Sequence, residues 1–148
     1  MRVLNVRVNH LENYRGNMGY QSEGCSGLDM TAGIDDKIVL NHGDFAVVPL
    51  GVCLEIPPGY EGQLRGRSGF AAKSGIGVVN GVGTIDSDYR GEIAAILINF
   101  GRDPFTIEPG MRVAQLVFTE ICRAQLTAVD GVGYSERGTS GFGSTGDI

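Results

Sequence analysis

The sequence predicts an all-β fold. Helical periodicity is nearly absent along its 148 residues, and short runs of β-branched, aliphatic and aromatic residues recur instead, each followed by turn residues. Glycine accounts for 24 residues, about 16% of the chain and more than twice the average usage of roughly 7%. Regularly spaced short strands with such turns are typical of a sandwich, a jelly roll or a barrel.

Nine segments have strand character. The breaks between them include Asn41-His42-Gly43, Pro57-Pro58-Gly59 and Pro109-Gly110, which are residues that favour turns. In chain order, the predicted strands are residues 2–8, 37–40, 44–49, 52–56, 60–65, 92–99, 105–108, 113–121 and 125–129.

One short helix is predicted between the fifth and sixth strands. Ser68 can cap its N-terminus, residues 70–73 are compatible with a helix, and Gly75 can end it, so the helix spans Ser68–Ser74. No repeat and no second domain are visible. Residues 1–130 are therefore interpreted as one β domain.

The last 18 residues differ from the rest of the chain. Six of the residues 131–148 are glycine, and no strand pattern is present. We expect this segment to be a flexible glycine-rich tail that acts as a mobile lid.

Charge and composition exclude several classes of protein. The net charge is −5, with 12 basic and 17 acidic residues, which argues against nucleic-acid binding through a broad basic face. The two histidines have no partners at the spacing of metal ligands. This argues against a histidine metal site and against a Ser-His-Asp triad. No apolar run approaches the roughly 20 residues of a membrane helix.

The cysteines and the N-terminal residues indicate the cellular compartment of the protein. Cys25, Cys53 and Cys122 are an odd number without a CxxC pair, as expected for free thiols in a reducing compartment. The N-terminus lacks the uninterrupted apolar region of a secretory signal. We therefore expect a cytoplasmic protein, or a viral protein in a host cell.

The segment Arg65-Gly66-Arg67-Ser68-Gly69 is a candidate anion site. Two arginines, a hydroxyl and a glycine precede the predicted helix, where free backbone N–H groups favour negative charge. An arginine pair on a solvated turn explains the same residues.

The segment 80–92 places carboxylates and an aromatic ring in a glycine-bounded turn. Asp86 can act as a general base or metal ligand, Tyr89 can pack on a sugar, and Asn80 can bond a base edge. An Asp-Ser-Asp turn before a strand is the alternative.

The tail contains Gly141-Phe142-Gly143-Ser144-Thr145-Gly146, which matches G-x-G-x-x-G. We do not expect a dinucleotide-binding motif here, because that motif follows a strand and opens a helix within a βαβ unit. Backbone N–H groups, the hydroxyls and Arg137 can still hold phosphates, and Phe142 can stack on a base. A flexible Gly/Ser tail remains the alternative.

Two further polar positions interrupt apolar segments. Asp29 lies within Ser26-Gly27-Leu28-Asp29-Met30, and Gln115 lies within a predicted strand. Taken alone, they are an ordinary turn residue and an ordinary strand-edge residue.

The order of these segments carries more information than any one of them. SGLDMTA, GRSGFAAKSGI, GTIDSDYRGEI, RVAQLVF and RGTSGFGSTG follow one another between residues 26 and 146. This order resembles the five motifs of the homotrimeric deoxyuridine triphosphatase (dUTP diphosphatase) family. The resemblance implies a distorted jelly roll of the β-clip type, assembled as a homotrimer with three active sites at subunit interfaces. It also implies hydrolysis of dUTP to dUMP and pyrophosphate with Mg²⁺, without a membrane or stable nucleic-acid partner.

The resemblance also implies catalytic roles for Asp86, Asp29 and Gln115. Asp86 would orient the water that attacks the α-phosphate and would contact the 3′-OH, while Asp29 and Gln115 would act through water around the metal and the α-phosphate. Thr84 departs from the aliphatic residue that is common in the family. The implied substrate-binding residues are Arg67, Ser68, Gly69, Asn80, Gly83, Tyr89, Arg137, Phe142, Gly143, Ser144 and Thr145.

The resemblance assigns a part of the nucleotide to each implied binding residue except Gly143. Tyr89 would pack on deoxyribose and exclude a 2′-OH, and Asn80 with the backbone near Gly83 would bond the uracil edge. Phe142 would cover the uracil. Arg67, Ser68 and Gly69 would hold phosphates near the cleaved bond, and Arg137, Ser144 and Thr145 would bind the β- and γ-phosphates.

Two other functions remain open at the level of the sequence. A dCTP deaminase shares the β-rich frame but belongs to another reaction class, and the tail with Phe142 argues against it. A dUTPase-like binding or regulatory module without catalysis is the second alternative, and the intact acids Asp29 and Asp86 argue against that.

Overall fold

The computed structural model describes residues 3–16 and 18–141, and this part of the chain contains eleven β-strands and one helix. The elements are β1 Arg7–His10, β2 Leu28–Thr31, β3 Ile38–Leu40, β4 Phe45–Pro49, β5 Val52–Glu55, β6 Tyr60–Arg65, α1 Ser68–Ser74, β7 Ile76–Val78, β8 Gly83–Ile85, β9 Ala94–Asn99, β10 Phe105–Ile107 and β11 Arg112–Glu120.

The strands form four antiparallel sheets. A four-stranded sheet has the order β2-β11-β6-β8, a three-stranded sheet has the order β4-β9-β7, and β1-β5 and β10-β3 are pairs. Side chains from the inner faces form one apolar core that includes Met30, Leu64, Leu97 and Leu116. Burying such a side chain stabilises the fold by roughly 1.5–3 kcal/mol. This confirms the predicted all-β, jelly-roll-like fold.

Seven predicted strands are found within two residues of their predicted bounds. The exceptions lie at the two ends of the chain. The first strand is limited to Arg7–His10, because its partner β5 spans only Val52–Glu55. The strand predicted at 125–129 is wrong: residues 121–140 are exposed, and the described segment 121–141 contains no strand or helix. Strand propensity alone does not form a strand without a neighbouring edge to pair with.

The helix forms over the predicted residues, but its N-cap residue is not the predicted one. Arg67, rather than Ser68, is the N-cap, and Ser68 is the first helical residue. Gly75 ends the helix as predicted, with a φ of 68°. A Cβ atom at Gly75 would lie 2.6 Å from the backbone nitrogen of Gly101, so this position also requires glycine for close packing.

The cysteines are free, as predicted. Cys25 and Cys122 are exposed, and Cys53 is half-buried. A hydrogen bond with the Ser22 hydroxyl, 3.0 Å from the sulfur, lowers the pKa of the Cys25 thiol below its ordinary value. Among the described residues, no helix is long and apolar enough to span a membrane.

Candidate functional site

Strand pairing brings Asp29 and Gln115 together. Gln115 of β11 lies opposite Asp29 of β2 on one side and opposite Arg65 of β6 on the other. The chain leaves β6 at Arg65 and enters helix α1 at Ser68. Motifs that are distant in the sequence therefore meet at one end of the four-stranded sheet.

These residues line a cleft of about 370 Å³, which we call the arginine cleft. It contains both acidic and basic side chains and the first turn of the helix. Its lining residues are Asp29, Arg67, Ser68, Gly69, Phe70, Lys73 and Gln115.

Asp29 organises the charges of the arginine cleft. The Asp29 residue is buried, and its two oxygens pair with the Arg67 Nε at 3.4 Å and the Arg112 Nη1 at 3.0 Å. Arg67 also donates to the backbone carbonyl of Arg112 at 3.0 Å, and its guanidinium lies 5.3 Å from the centre of the Phe70 ring. The single carboxylate thus orients two guanidinium groups. Among the lining residues, Arg67 and Lys73 outnumber the single carboxylate of Asp29. The cleft therefore carries excess positive charge, which suits a polyanion.

Gln115 is held in the same cleft by its neighbours. Its Nε2 donates to the carbonyl of Gly66 at 3.0 Å. A Cβ atom at Gly27 would lie 2.6 Å from its Oε1, so glycine at 27 leaves the space that the amide occupies.

Ser68 and Gly69 are exposed at the mouth of the arginine cleft. A Cβ atom at Gly69 would meet no described heavy atom within 4 Å. The first turn of the helix is therefore accessible, and a phosphate group can approach its backbone closely.

A second cleft of about 270 Å³ contains the other predicted site residues, and we call it the tyrosine cleft. Gly83 of β8 pairs with Leu64 of β6, so the strand that leads into the arginine cleft also forms the floor of this one. The lining residues are Val47, Leu64, Asn80, Gly83, Thr84, Ile85, Asp86, Tyr89, Glu92, Ile93, Ala94 and Ile96.

Two turns present the polar groups of the tyrosine cleft. Asp86 and Tyr89 close one turn, in which the Tyr89 N–H donates to the Asp86 carbonyl at 3.1 Å. A Cβ atom at Gly83 would lie 3.3 Å from the Asn80 Nδ2, so Asn80 approaches the backbone of residue 83. This arrangement places an amide, a carboxylate and an aromatic ring around one apolar floor.

The structure thus divides the predicted site residues into two groups. Among the described residues, the arginine and tyrosine clefts share no lining residue. Arg137 lies in the exposed segment after β11, where its Nε donates to the Ser140 carbonyl at 2.8 Å. The remaining four lie outside the described residues, namely Phe142, Gly143, Ser144 and Thr145.

Sequence reasoning missed three charged or aromatic residues that line the clefts. Phe70 and Lys73 belong to the arginine cleft and Glu92 to the tyrosine cleft. The position of Glu92 between Gly91 and the buried Ile93 was an available signal, because a carboxylate directly before a core residue needs a partner.

The dUTPase family model matches residues 16–146, which include all five motifs.

The chain belongs to the dUTPase family.

Curated relatives extend the match over nearly all of the chain. A dUTPase relative from Methylocella silvestris, named deoxyuridine 5′-triphosphate nucleotidohydrolase, is 53% identical over 129 residues, covering 86% of this chain and 81% of that protein. The protein of the same name from Bdellovibrio bacteriovorus is 49% identical over 147 residues, covering 99% of both chains.

Solved dUTPase structures share the fold. The Staphylococcus bacteriophage 80alpha dUTPase with dUPNHPP has a TM-score of 0.86 at 27% identity, covering 96% of this chain and 98% of that chain. Its G164S mutant with dUpNHpp has a TM-score of 0.85.

The dUTPase family uses a divalent metal ion. In residues 3–16 and 18–141, no cluster of three His, Cys, Asp or Glu side chains is placed to hold one. Mg²⁺ commonly takes one or two carboxylates, with substrate phosphates and water supplying the other ligands. Asp29 and Gln115 lie opposite each other on β2 and β11, and both Asp29 oxygens pair with arginines, so these two residues would hold such an ion through water.

Proposed function

We propose that this protein hydrolyses dUTP to dUMP and pyrophosphate, the activity that the names of its curated relatives describe. The observation that carries the proposal is the chemical division between the clefts. The arginine cleft has cationic groups for a triphosphate, and the tyrosine cleft has an amide, a carboxylate and an aromatic ring for a nucleoside.

In the proposed mechanism, binding and positioning do most of the work. Arg67, Ser68 and Gly69 hold phosphate oxygens, with Arg67 oriented by Asp29. Asp86 orients a water molecule toward the α-phosphate and accepts a proton from it as the P–O bond to the β-phosphate breaks. Phosphoryl transfer requires charge neutralisation and alignment more than covalent catalysis, which explains a site without histidine or cysteine.

The tyrosine cleft selects the nucleoside in this proposal. Asn80 and the backbone at Gly83 bond the uracil edge, since an amide offers both a donor and an acceptor. Tyr89 packs on the deoxyribose and excludes a 2′-OH. Directional bonds to the pyrimidine provide strong discrimination, because a wrong base leaves polar groups unpaired.

We propose Mg²⁺ as the metal. Asp29 and Gln115 would contact it through water, since both Asp29 oxygens already pair with arginines. Bound to the triphosphate, Mg²⁺ would supply charge neutralisation at the phosphate oxygens.

A homotrimer with active sites at subunit interfaces is part of the proposal. Two findings support it: the clefts share no described residue, and the tyrosine cleft borders an exposed apolar face. Val47 lines that cleft and is 59% exposed, and Phe45 on the same strand is 64% exposed. Elsewhere in the described chain, residues after β11 also expose apolar side chains, among them Leu126 and Tyr134. An exposed apolar face such as that of Val47 and Phe45 supports the proposed subunit contact.

Two further features belong to the proposal. Residues 1–130 form the dUTPase-like β domain, and residues 131–148 form a lid that closes over bound nucleotide. The location is cytoplasmic, or a host cell for a viral protein, which the three free cysteines support.

Pyrophosphate release from dUTP in the presence of Mg²⁺ tests the proposed activity. We expect turnover of dUTP by the wild-type protein and none of dCTP, with no ammonia formed from either. Ammonia release from dCTP would indicate a deaminase. A correctly folded protein that binds dUTP without turnover would indicate a binding module.

Subunit mixing tests whether the two clefts meet across an interface. Arg67→Ala and Asp86→Asn each damage one cleft, and each pure variant is expected to have very low activity. Co-refolding them in equal amounts should restore intact sites in mixed trimers, reaching about a quarter of the wild-type sites. Pyrophosphate release measures the recovery. No recovery in trimers shown to be mixed by mass would place both clefts of one active site on the same chain.

A further inference from the structure

The Glu92 carboxylate joins three segments that are distant in the sequence. Its Oε1 accepts a hydrogen bond from the Asn13 Nδ2 at 2.7 Å and another from the Gly51 N–H at 2.9 Å. Asn13 Nδ2 also donates to the carbonyl of Gly33 at 3.0 Å. Hydrogen bonds to a charged acceptor are stronger than those between neutral groups. The loop that follows β1 is therefore tied to the residue that follows Gly91.

Glycines allow these segments to approach at backbone distance. A Cβ atom at Gly33 would lie 2.8 Å from the Asn13 carbonyl oxygen, and one at Gly51 would lie 2.5 Å from the Tyr14 Cα. Gly51 also has a φ of 70°, which residues other than glycine rarely adopt. The Leu11 N–H donates to the Gly51 carbonyl at 2.8 Å. Close packing thus holds the loop in one position relative to Glu92.

The backbone of Glu92 is also hydrogen-bonded to Tyr89. The Tyr89 hydroxyl donates to the backbone carbonyl of Glu92 at 2.9 Å. A Cβ atom at Gly91 would lie 2.4 Å from that hydroxyl oxygen, so the ring folds back over Gly91. Tyr89 is 45% exposed, so its contact with Gly91 and its hydrogen bond to the Glu92 carbonyl are important in fixing the ring. Its position therefore depends on residue 92.

We propose that Asn13 and Glu92 are positioning residues that hold Tyr89 where it discriminates deoxyribose from ribose. The inference rests on the proposed function, in which Tyr89 packs on the sugar. The side chain of Asn13 fixes the carboxylate of Glu92, and the backbone of Glu92 fixes the hydroxyl of Tyr89. A displacement of about 1 Å at a packed sugar is enough to change a rate substantially. The loop after β1 then takes part in substrate selectivity without touching the substrate.

The test compares kcat and KM for dUTP and for UTP. In Asn13→Ala and Glu92→Ala, we expect the ratio of kcat/KM for dUTP over UTP to fall on the order of tenfold, because the ring loses its fixed position. Glu92→Gln keeps an oxygen that can accept both hydrogen bonds, so it should recover most of the selectivity that Glu92→Ala loses.

Asn41→Ala is the matched control. The Asn41 Nδ2 also donates to a carboxylate, the Asp44 Oδ2 at 2.9 Å, but it does so on a turn that lines neither cleft. This variant should keep wild-type selectivity. Unchanged selectivity in folded Asn13→Ala and Glu92→Ala would overturn the inference.

Hydrogen exchange separates this inference from the proposed activity. The Tyr89 N–H lies in the turn that Glu92 follows, so a peptide over residues 86–93 should exchange faster in Asn13→Ala than in Asn41→Ala. Equal exchange in the two variants would overturn the inference, whether or not the wild type hydrolyses dUTP. A wild type without turnover would instead contradict the proposed function.

A third variant tests the inference even if the alanine variants do not fold. Tyr89→Phe removes only the hydroxyl that bonds the Glu92 carbonyl. Reduced selectivity in this variant supports the inference, and wild-type selectivity overturns it.

Discussion

Replacing Asp86 with asparagine is expected to lower kcat for dUTP by about 1,000-fold, the middle of the range for loss of a general base. The substitution keeps the size and the hydrogen-bonding oxygen of the side chain but removes the carboxylate that accepts the proton. Asp86 lines the tyrosine cleft in the turn closed by Tyr89, so binding groups elsewhere in the cleft remain. Steady-state pyrophosphate release measures the rate.

The binding measurement distinguishes catalysis from folding. The dissociation constant of a non-hydrolysable dUTP analogue should change by less than about threefold in Asp86→Asn, since the shape of the cleft is preserved. Asp88→Asn is the matched control, because Asp88 is an exposed acid two residues further along that does not line the cleft. Equal rates in Asp86→Asn and wild type would remove Asp86 from the mechanism.

Local sequence signals predicted elements that turn or capping residues delimit on either side. The strand Tyr60–Arg65 and the helix Ser68–Ser74 have the predicted bounds. Three short strands were missed, because a polar residue or glycine breaks their pattern: Leu28–Thr31, Ile76–Val78 and Gly83–Ile85. Their strand structure comes from pairing with neighbours, which local propensity does not encode.

The site shows the same limit at a larger scale. The order of five motifs identified the candidate residues, but it did not indicate that Asp29 and Gln115 lie opposite each other across β2 and β11. It also did not indicate the division into two clefts, which results from β6 separating β11 from β8. Long-range antiparallel pairing decides both features, and a sequence pattern records only the residues that take part.

The N-terminal end of the helix illustrates a smaller error with a physical cause. A serine before a helical run predicts a capping hydroxyl, yet Arg67 occupies the cap and Ser68 lies in the first turn. Ser68 therefore does not cap the helix and lines the arginine cleft. In the proposed function, Ser68 binds a phosphate group of the substrate instead of capping the helix.

Deleting residues 138–148 is expected to leave a folded trimer that hydrolyses dUTP poorly, with kcat/KM lowered about 100-fold by the loss of groups that would close the site. Residues 121–140 are all exposed, so the described part of this segment adds nothing to the buried core. The unfolding temperature and the number of subunits in the assembly should therefore match those of the wild type. Pyrophosphate release and thermal unfolding measure the two effects.

A shorter deletion provides the control for the tail. Removing residues 147–148 keeps Arg137, Phe142 and the glycine-rich run, so this variant should retain wild-type activity. If the longer deletion unfolds the protein, the tail is part of the fold rather than a lid. If it is fully active, the groups from residue 138 onward are not needed for catalysis, and the two clefts complete the site by themselves. Low activity with an unchanged unfolding temperature is the combination that the lid requires, because closure contributes to the transition state without contributing to the core.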